Sequence, residues 1–145
     1  EAALGQDWSI GTSWRQGWTY ANAGSTLTGQ SLLKSNAFSF DVTRANAFAT
    51  GDRLAFRVAQ PLRVTSGGLA LNVPIAYDYA TLNPTFGIRR FSLAPQGRES
   101  ASEVAWILPM SGGYVSSNLF WRQEPGHFES APDDIGVAFR LQFGF

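Results

Sequence analysis

The sequence predicts an all-β protein, an antiparallel up-and-down transmembrane β-barrel of about eight strands, and three observations carry that prediction. The chain closes on Asp134-Ile-Gly-Val-Ala-Phe-Arg-Leu-Gln-Phe-Gly-Phe145, in which Ile135, Val137, Phe139, Leu141, Phe143 and Phe145 alternate with Gly136, Ala138, Arg140, Gln142 and Gly144. A period of two is a β-strand, and a second face of Gly, Ala and one Arg suits a narrow crowded lumen better than open water. The 145 residues include five Trp, four Tyr and eleven Phe among few charges, the balance expected where one face of a sheet meets lipid. No stretch longer than a few residues keeps a helical period, and fifteen Gly with scattered Ser and Thr supply turns.

The strands follow from the same alternation. Asp7 to Tyr20 sets Trp8, Ile10, Trp14, Trp18 and Tyr20 against Ser9, Gly11, Ser13, Arg15 and Gly17. Leu33 to Arg44 points Phe38, Phe40 and Val42 outward and Ala37, Ser39 and Asp41 inward. Arg53 to Val64 sets Leu54, Phe56, Val58, Leu62 and Val64 against Arg53, Arg57 and Arg63; Pro61 lacks an amide donor, which predicts a bulge or a local edge. Leu69 to Tyr79 sets Leu69, Leu71, Val73, Ile75, Tyr77 and Tyr79 against Ala70, Asn72, Pro74, Ala76 and Asp78. Thr85 to Leu93 loses its phase at Arg89 and Arg90, so its faces stay unassigned. Glu103 to Leu108 turns Val104, Trp106 and Leu108 outward, and Tyr114 to Arg122 does the same with Val115, Leu119 and Trp121, although Phe120 interrupts its polar face. The terminal segment is the eighth strand.

Length and charge narrow the classes. A chain of 145 residues is one domain, residues 1–145, large enough for a small barrel and too small for a barrel plus an enzyme. Eleven basic and eleven acidic residues give zero formal charge without a basic run, which sets nucleic acid aside. Zero cysteines exclude disulfides and thiolate chemistry and are neutral on compartment. There is no apolar run long enough for a transmembrane helix and no signal peptide at Glu1, so the chain reads as mature, trimmed or part of something longer.

With both termini on the periplasmic side, the connections at Ala21 to Leu32, Thr65 to Gly68, Ala94 to Ser102 and Gln123 to Asp133 fall outside and the turns at Thr81–Pro84 and Met110–Gly113 inside. Trp8 then lies at the periplasmic level and Trp18 and Tyr20 at the outer one, about 25 Å apart at the usual rise and tilt. Tyr77, Tyr79, Trp106, Phe143 and Phe145 collect with Trp8, and Trp121 with Trp18, so two aromatic girdles arise from strands assigned separately. The inward charges Arg15, Asp41, Arg53, Arg57, Arg63, Asp78, Glu103 and Arg140 form either a conduction path or a closed ion-pair network. An eight-stranded barrel has room only for side chains, so a filled lumen with paired charges is the expectation.

Asp134, Gly136, Phe139 and Leu141, extended by Phe143 and Phe145, match the polar-x-Gly-x-x-aromatic-x-apolar signal by which outer-membrane barrels are recognised for assembly, read physically as edge pairing with an open strand of the insertion machinery. The same strand could close a soluble lipocalin-like barrel. Gly11-Thr-Ser13 echoes a subtilisin nucleophile, but its Met-Ala helix start and Pro are missing and Ser13 lies mid-strand, so it reads as structural. His127, in Pro125-Gly-His-Phe-Glu-Ser130 with Asp133 and Asp134 following, could be a cation site or a hydrolase relic, and reads more simply as a surface loop residue. No catalytic, cofactor or metal constellation emerges.

Phe56-Arg-Val-Ala-Gln-Pro-Leu-Arg-Val-Thr-Ser-Gly-Gly-Leu69, Gly97-Arg-Glu-Ser-Ala-Ser-Glu-Val-Ala-Trp106 and Pro125-Gly-His-Phe-Glu-Ser-Ala-Pro-Asp-Asp-Ile-Gly-Val-Ala-Phe-Arg140 resemble the carboxy-terminal barrel of subtilisin-like serine protease autotransporters of alphaproteobacteria. The resemblance runs from Trp8 onward and is most specific at Gln60–Val64 and Pro125–His127. It implies an anchor or translocator in the outer membrane of a Gram-negative cell, with lipid, the barrel-assembly machinery and an upstream passenger domain as partners and no enzymatic activity in this chain. Such barrels have about twelve strands and a lumen helix, so this chain is either the terminal part of a longer barrel or a small barrel that closes alone with a structural or adhesive role. A soluble ligand-binding barrel is the rival from another class, and a lipid A hydrolase a fourth reading that needs His127 beside a lipid-facing serine.

Overall fold

The computed structural model describes residues 2–21 and 31–144. It is all-β, with antiparallel strands and one three-residue 3-10 turn. The strands are β1 (Ala2–Leu4), β2 (Trp8–Ala21), β3 (Ser31–Ala45), β4 (Arg53–Ser66), β5 (Gly68–Asp78), β6 (Asn83–Ser92), β7 (Ser100–Met110), β8 (Gly113–Gln123) and β9 (Asp134–Phe143). The eight longer strands coincide with the segments read from alternation; only β1, which pairs Ala2–Leu4 with Trp8–Ile10, has no counterpart there.

Their pairing departs from a simple meander. One sheet runs β1-β2-β3-β4-β7-β8-β9, and β5 and β6 form a separate two-stranded sheet, so β4 is hydrogen-bonded to β7 and not to the strand that follows it. Among the described residues no closed barrel is formed. The β4–β7 ladder matches apolar with apolar and opposite charges with each other, Phe56 facing Val104 and Arg57 facing Glu103. It ends at Ala59, just before Gln60 and Pro61, the local edge that a residue without an amide donor predicts. The ladder irregularity lies elsewhere, in β5 between Pro74 and Ala76. Pairing within β5–β6 explains the lost phase: Leu71 faces Arg89, Ala70 faces Arg90 and Asn72 faces Ile88, so both faces of this hairpin are mixed.

The chain divides into two compact units. The first holds residues 1–15, 37–62 and 96–145, and the second residues 16–36 and 63–95. In the second, Gly67 links β4 to β5 at φ 109°, and a Cβ there would lie 2.1 Å from the Leu32 carbonyl oxygen, so no other residue fits this tight connection. The outer connection expected at Ala21 to Leu32 lies mostly outside the described residues, as does Phe145.

No apolar core exists among the described residues. Not one hydrophobic side chain is buried, and the buried polar residues are Asp52, Gln60 and Glu99. This inverts the ordinary pattern of a soluble domain, whose large apolar side chains are the first to be covered.

Candidate functional site

Register decides which residues share a face, because residues directly opposite in an antiparallel ladder project to the same side. Across β4, β7, β8 and β9 one face carries the row Phe56, Val104, Leu119 and Val137. Flanking rows on that face are Leu54, Trp106, Ser117 and Phe139, and Val58, Ser102, Trp121 and Ile135. The opposite face carries Ala55, Ala105, Asn118 and Ala138, beside Arg57, Glu103, Phe120 and Gly136. The apolar face is most exposed along β9, where Phe139 is 76% exposed, Ile135 72% and Val137 62%. On β2, Trp14, Trp18 and Tyr20 are likewise exposed.

Phe120, the residue that breaks the polar alternation of β8, has a partner built for it. Gly136 lies opposite on β9, and a Cβ at 136 would come within 2.4 Å of the Phe120 ring. The Arg122 guanidinium caps the ring from 5.5 Å and is ion-paired to Asp134. Two positions of the proposed assembly pattern, Asp134 and Gly136, therefore also hold Phe120 against the small-residue face. Leu141 and Phe143 continue the exposed row, and β9 pairs only with β8 among the described residues.

The aromatic residues expected at the girdles are exposed at Trp8, Trp18, Tyr20, Tyr77, Tyr79 and Trp121. Arg44 lies 5.3 Å above the Trp8 ring, Tyr77 and Tyr79 meet edge to face, and Trp121 donates its indole N–H to Asp133. Trp106 is half-buried and donates to Asp52 at 2.9 Å, with Phe48 packed edge-on at 6.3 Å. Asp52 also accepts the backbone N–H groups of Ala47, Phe48 and Ala49, which builds a structured β3–β4 turn where alternation showed only a connection. Burial raises the Asp52 pKa, but the Trp106 donor and these three amides outweigh it and hold the carboxyl below 3.8. The legible trace of this turn is Asn46 and Gly51, both with positive φ, ahead of Asp52.

Six of the eight charges expected in the lumen, Asp41, Arg57, Arg63, Asp78, Glu103 and Arg140, have local partners. Arg57 pairs with Asp41 at 3.2 Å on the small-residue face, where Ser13, Arg15 and Ala37 help line a hollow of about 490 Å³. Glu103 accepts from Asn118, and Arg140 donates to Gln142 and stacks on Tyr114. Arg63 binds the Pro95 carbonyl in the second unit, Asp78 accepts the Ala80 and Thr81 amides to close the β5–β6 turn, and Arg53 is exposed opposite Ile107.

His127 is not a simple surface residue. Its Nδ1 accepts the Glu99 N–H at 2.9 Å, its Nε2 lies 3.1 Å from the Leu62 carbonyl, and its own carbonyl accepts the Gly97 N–H. Glu99 in turn accepts the Gly126 N–H, and Glu124 accepts the Arg98 N–H. A Cβ at Gly97 would meet the 127–129 backbone within 2.7 Å, so the two strands of chain lie in direct contact. Glu124 and His127 both hold left-handed backbone, at φ 48° and 64°, a rare state for residues other than glycine. Both ring nitrogens of His127 thus face backbone groups, Nδ1 the Glu99 N–H and Nε2 the Leu62 carbonyl. Among the described residues no group of three His, Asp or Glu side chains could hold a metal ion.

No protein-family model, curated protein or solved structure matches the chain.

Proposed function

We propose that this chain is an outer-membrane β-barrel segment that anchors, or helps export, an attached passenger domain. The observation that carries the reading is the absence of any buried hydrophobic side chain among the described residues of a sheet whose one face is mostly apolar, interrupted only by Ser102 and Ser117 in the rows across β4, β7, β8 and β9. In water such a face would be driven to bury, at about 25 cal/mol per Å² of apolar surface; in hydrocarbon it is already in its preferred solvent. The opposite face of Ala, Gly, Ser and locally paired charges suits a lumen. Closure, which removes unpaired strand edges from lipid, would join β9 either to the β1–β2 edge of the sheet or to strands of a longer chain, and the exposed row through Phe139 and Leu141 suits edge recognition by an assembly machine.

A soluble ligand-binding barrel requires the reverse distribution, with apolar residues turned in. Purification tests the proposal: the protein should require detergent or bilayer to remain monodisperse and should change its electrophoretic mobility on heating. A folded, monodisperse monomer in plain buffer would exclude it.

A further inference from the structure

We propose that His127 is a protonation-controlled clasp, tying the β8–β9 turn to the segment that enters β7 when the imidazole is neutral and releasing it when the imidazole is charged. The β7–β8 register places Ser100 opposite Gln123, so the two segments leave the same end of one ladder. Their junction is made almost wholly of backbone donors that need acceptors, and Nδ1 of His127 supplies the one for Glu99. An acceptor nitrogen carries no proton, so this hydrogen bond requires the neutral tautomer with its hydrogen on Nε2, which faces the Leu62 carbonyl.

Protonation turns Nδ1 into a donor facing another donor. The Glu99 amide then loses its acceptor, and one buried end of the clasp is left without compensation. The charged residues of the segments it joins are Arg98 and Glu99 on the entering segment, Glu124, Glu129 and Asp133 on its own turn, and Arg63 next to Leu62 on β4. A charged imidazole would be drawn to the Glu99 and Glu124 carboxylates that now cap backbone amides, which adds to the rearrangement.

Amide hydrogen exchange on the detergent-folded full chain tests this without any bilayer, so its outcome is separate from that of the membrane proposal. After correction for intrinsic rates, protection at the Glu99 amide should fall about tenfold between pH 8 and pH 5.5, while Leu119 in mid-β8 stays protected. His127→Asn keeps an acceptor near the Nδ1 position, tolerates left-handed backbone and does not titrate, so its Glu99 protection should be flat with pH. Glu99→Gln and Glu124→Gln should each leave the pH step in place. Unchanged Glu99 protection in the wild type, the same step in His127→Asn, or loss of the step in either glutamine variant would overturn the proposal.

Discussion

Adding one methyl group at Gly136 should destabilise the protein through Phe120, and removing Phe120 should reverse the sign of that effect. The Cβ of Gly136→Ala would lie 2.4 Å from Cζ and 2.6 Å from Cε1 of the ring, well inside van der Waals contact. The ring cannot swing away freely, because Arg122 covers it and Asp134 holds Arg122. Overpacking of this kind costs about 1–3 kcal/mol. In a Phe120→Ala background the clash is gone, and alanine should stabilise the strand over glycine by about 0.5–1 kcal/mol. The coupling between the two sites is then about 1.5–4 kcal/mol. Urea unfolding of the detergent-refolded protein, with all four members of the cycle, measures it. An equal cost for Gly136→Ala in both backgrounds would refute the packing argument. Outer-membrane yield of the same four variants then separates roles: a yield that recovers with stability assigns Gly136 to packing, and one that stays low assigns it to assembly.

Three further outcomes follow from the same geometry. Leu119→Arg, in mid-β8 on the apolar face, should cost about 2–4 kcal/mol in a bilayer, as read from refolding titrations, whereas Arg in place of the exposed residue Gln123 at the strand end should cost about 0–1 kcal/mol; equal costs would count against burial in lipid. Asp52 titrates below 3.8 when folded, so its contribution is complete above that value and fades as pH falls from 3.8 through the lower folded value. Asp52→Asn should therefore flatten the acid limb of a urea-midpoint profile and leave its shape above about pH 5 unchanged; an acid limb as steep as the wild type's would contradict this. Replacing Phe139 and Leu141 with Ser should lower outer-membrane yield in cells more than the refolded fraction in detergent, since only the cell reads the strand as a signal; matching losses would reduce the strand's role to stability.

Much of the sheet was legible because a period of two fixes which side chains share a face. Arg53 to Val64 and Asp134 onward were recognisable from alternation alone, and Pro61 marked the end of the β4–β7 ladder. Alternation does not say which strand is the neighbour. The β4–β7 pairing spans an inserted hairpin, and β5–β6 mixes both faces, so neither leaves a periodic trace. Phe120 looked like a defect in one strand because its explanation, Gly136, is in another. The clasp was hidden for a different reason: backbone amides of residues 97–99 are paired with groups about 28 residues away, and amides carry no residue-type signal. Only its parts were visible, as the glycine at 97 and the Pro-Gly-His run. Asp52 was missed because an Asp in a turn is common, and what distinguishes this one is the Trp106 indole from a distant strand.

Depth-dependent quenching of a single tryptophan tests the central claim most directly. Trp14 lies in mid-β2 and is 67% exposed; with the other four tryptophans replaced by Phe, it is the only indole left. Refolding into vesicles of lipids brominated along their acyl chains should quench Trp14 strongly, most of all with bromines placed deep in the chain. Trp14 fluorescence that is unquenched at every bromine depth, in a protein shown to be folded, would contradict a lipid-facing sheet.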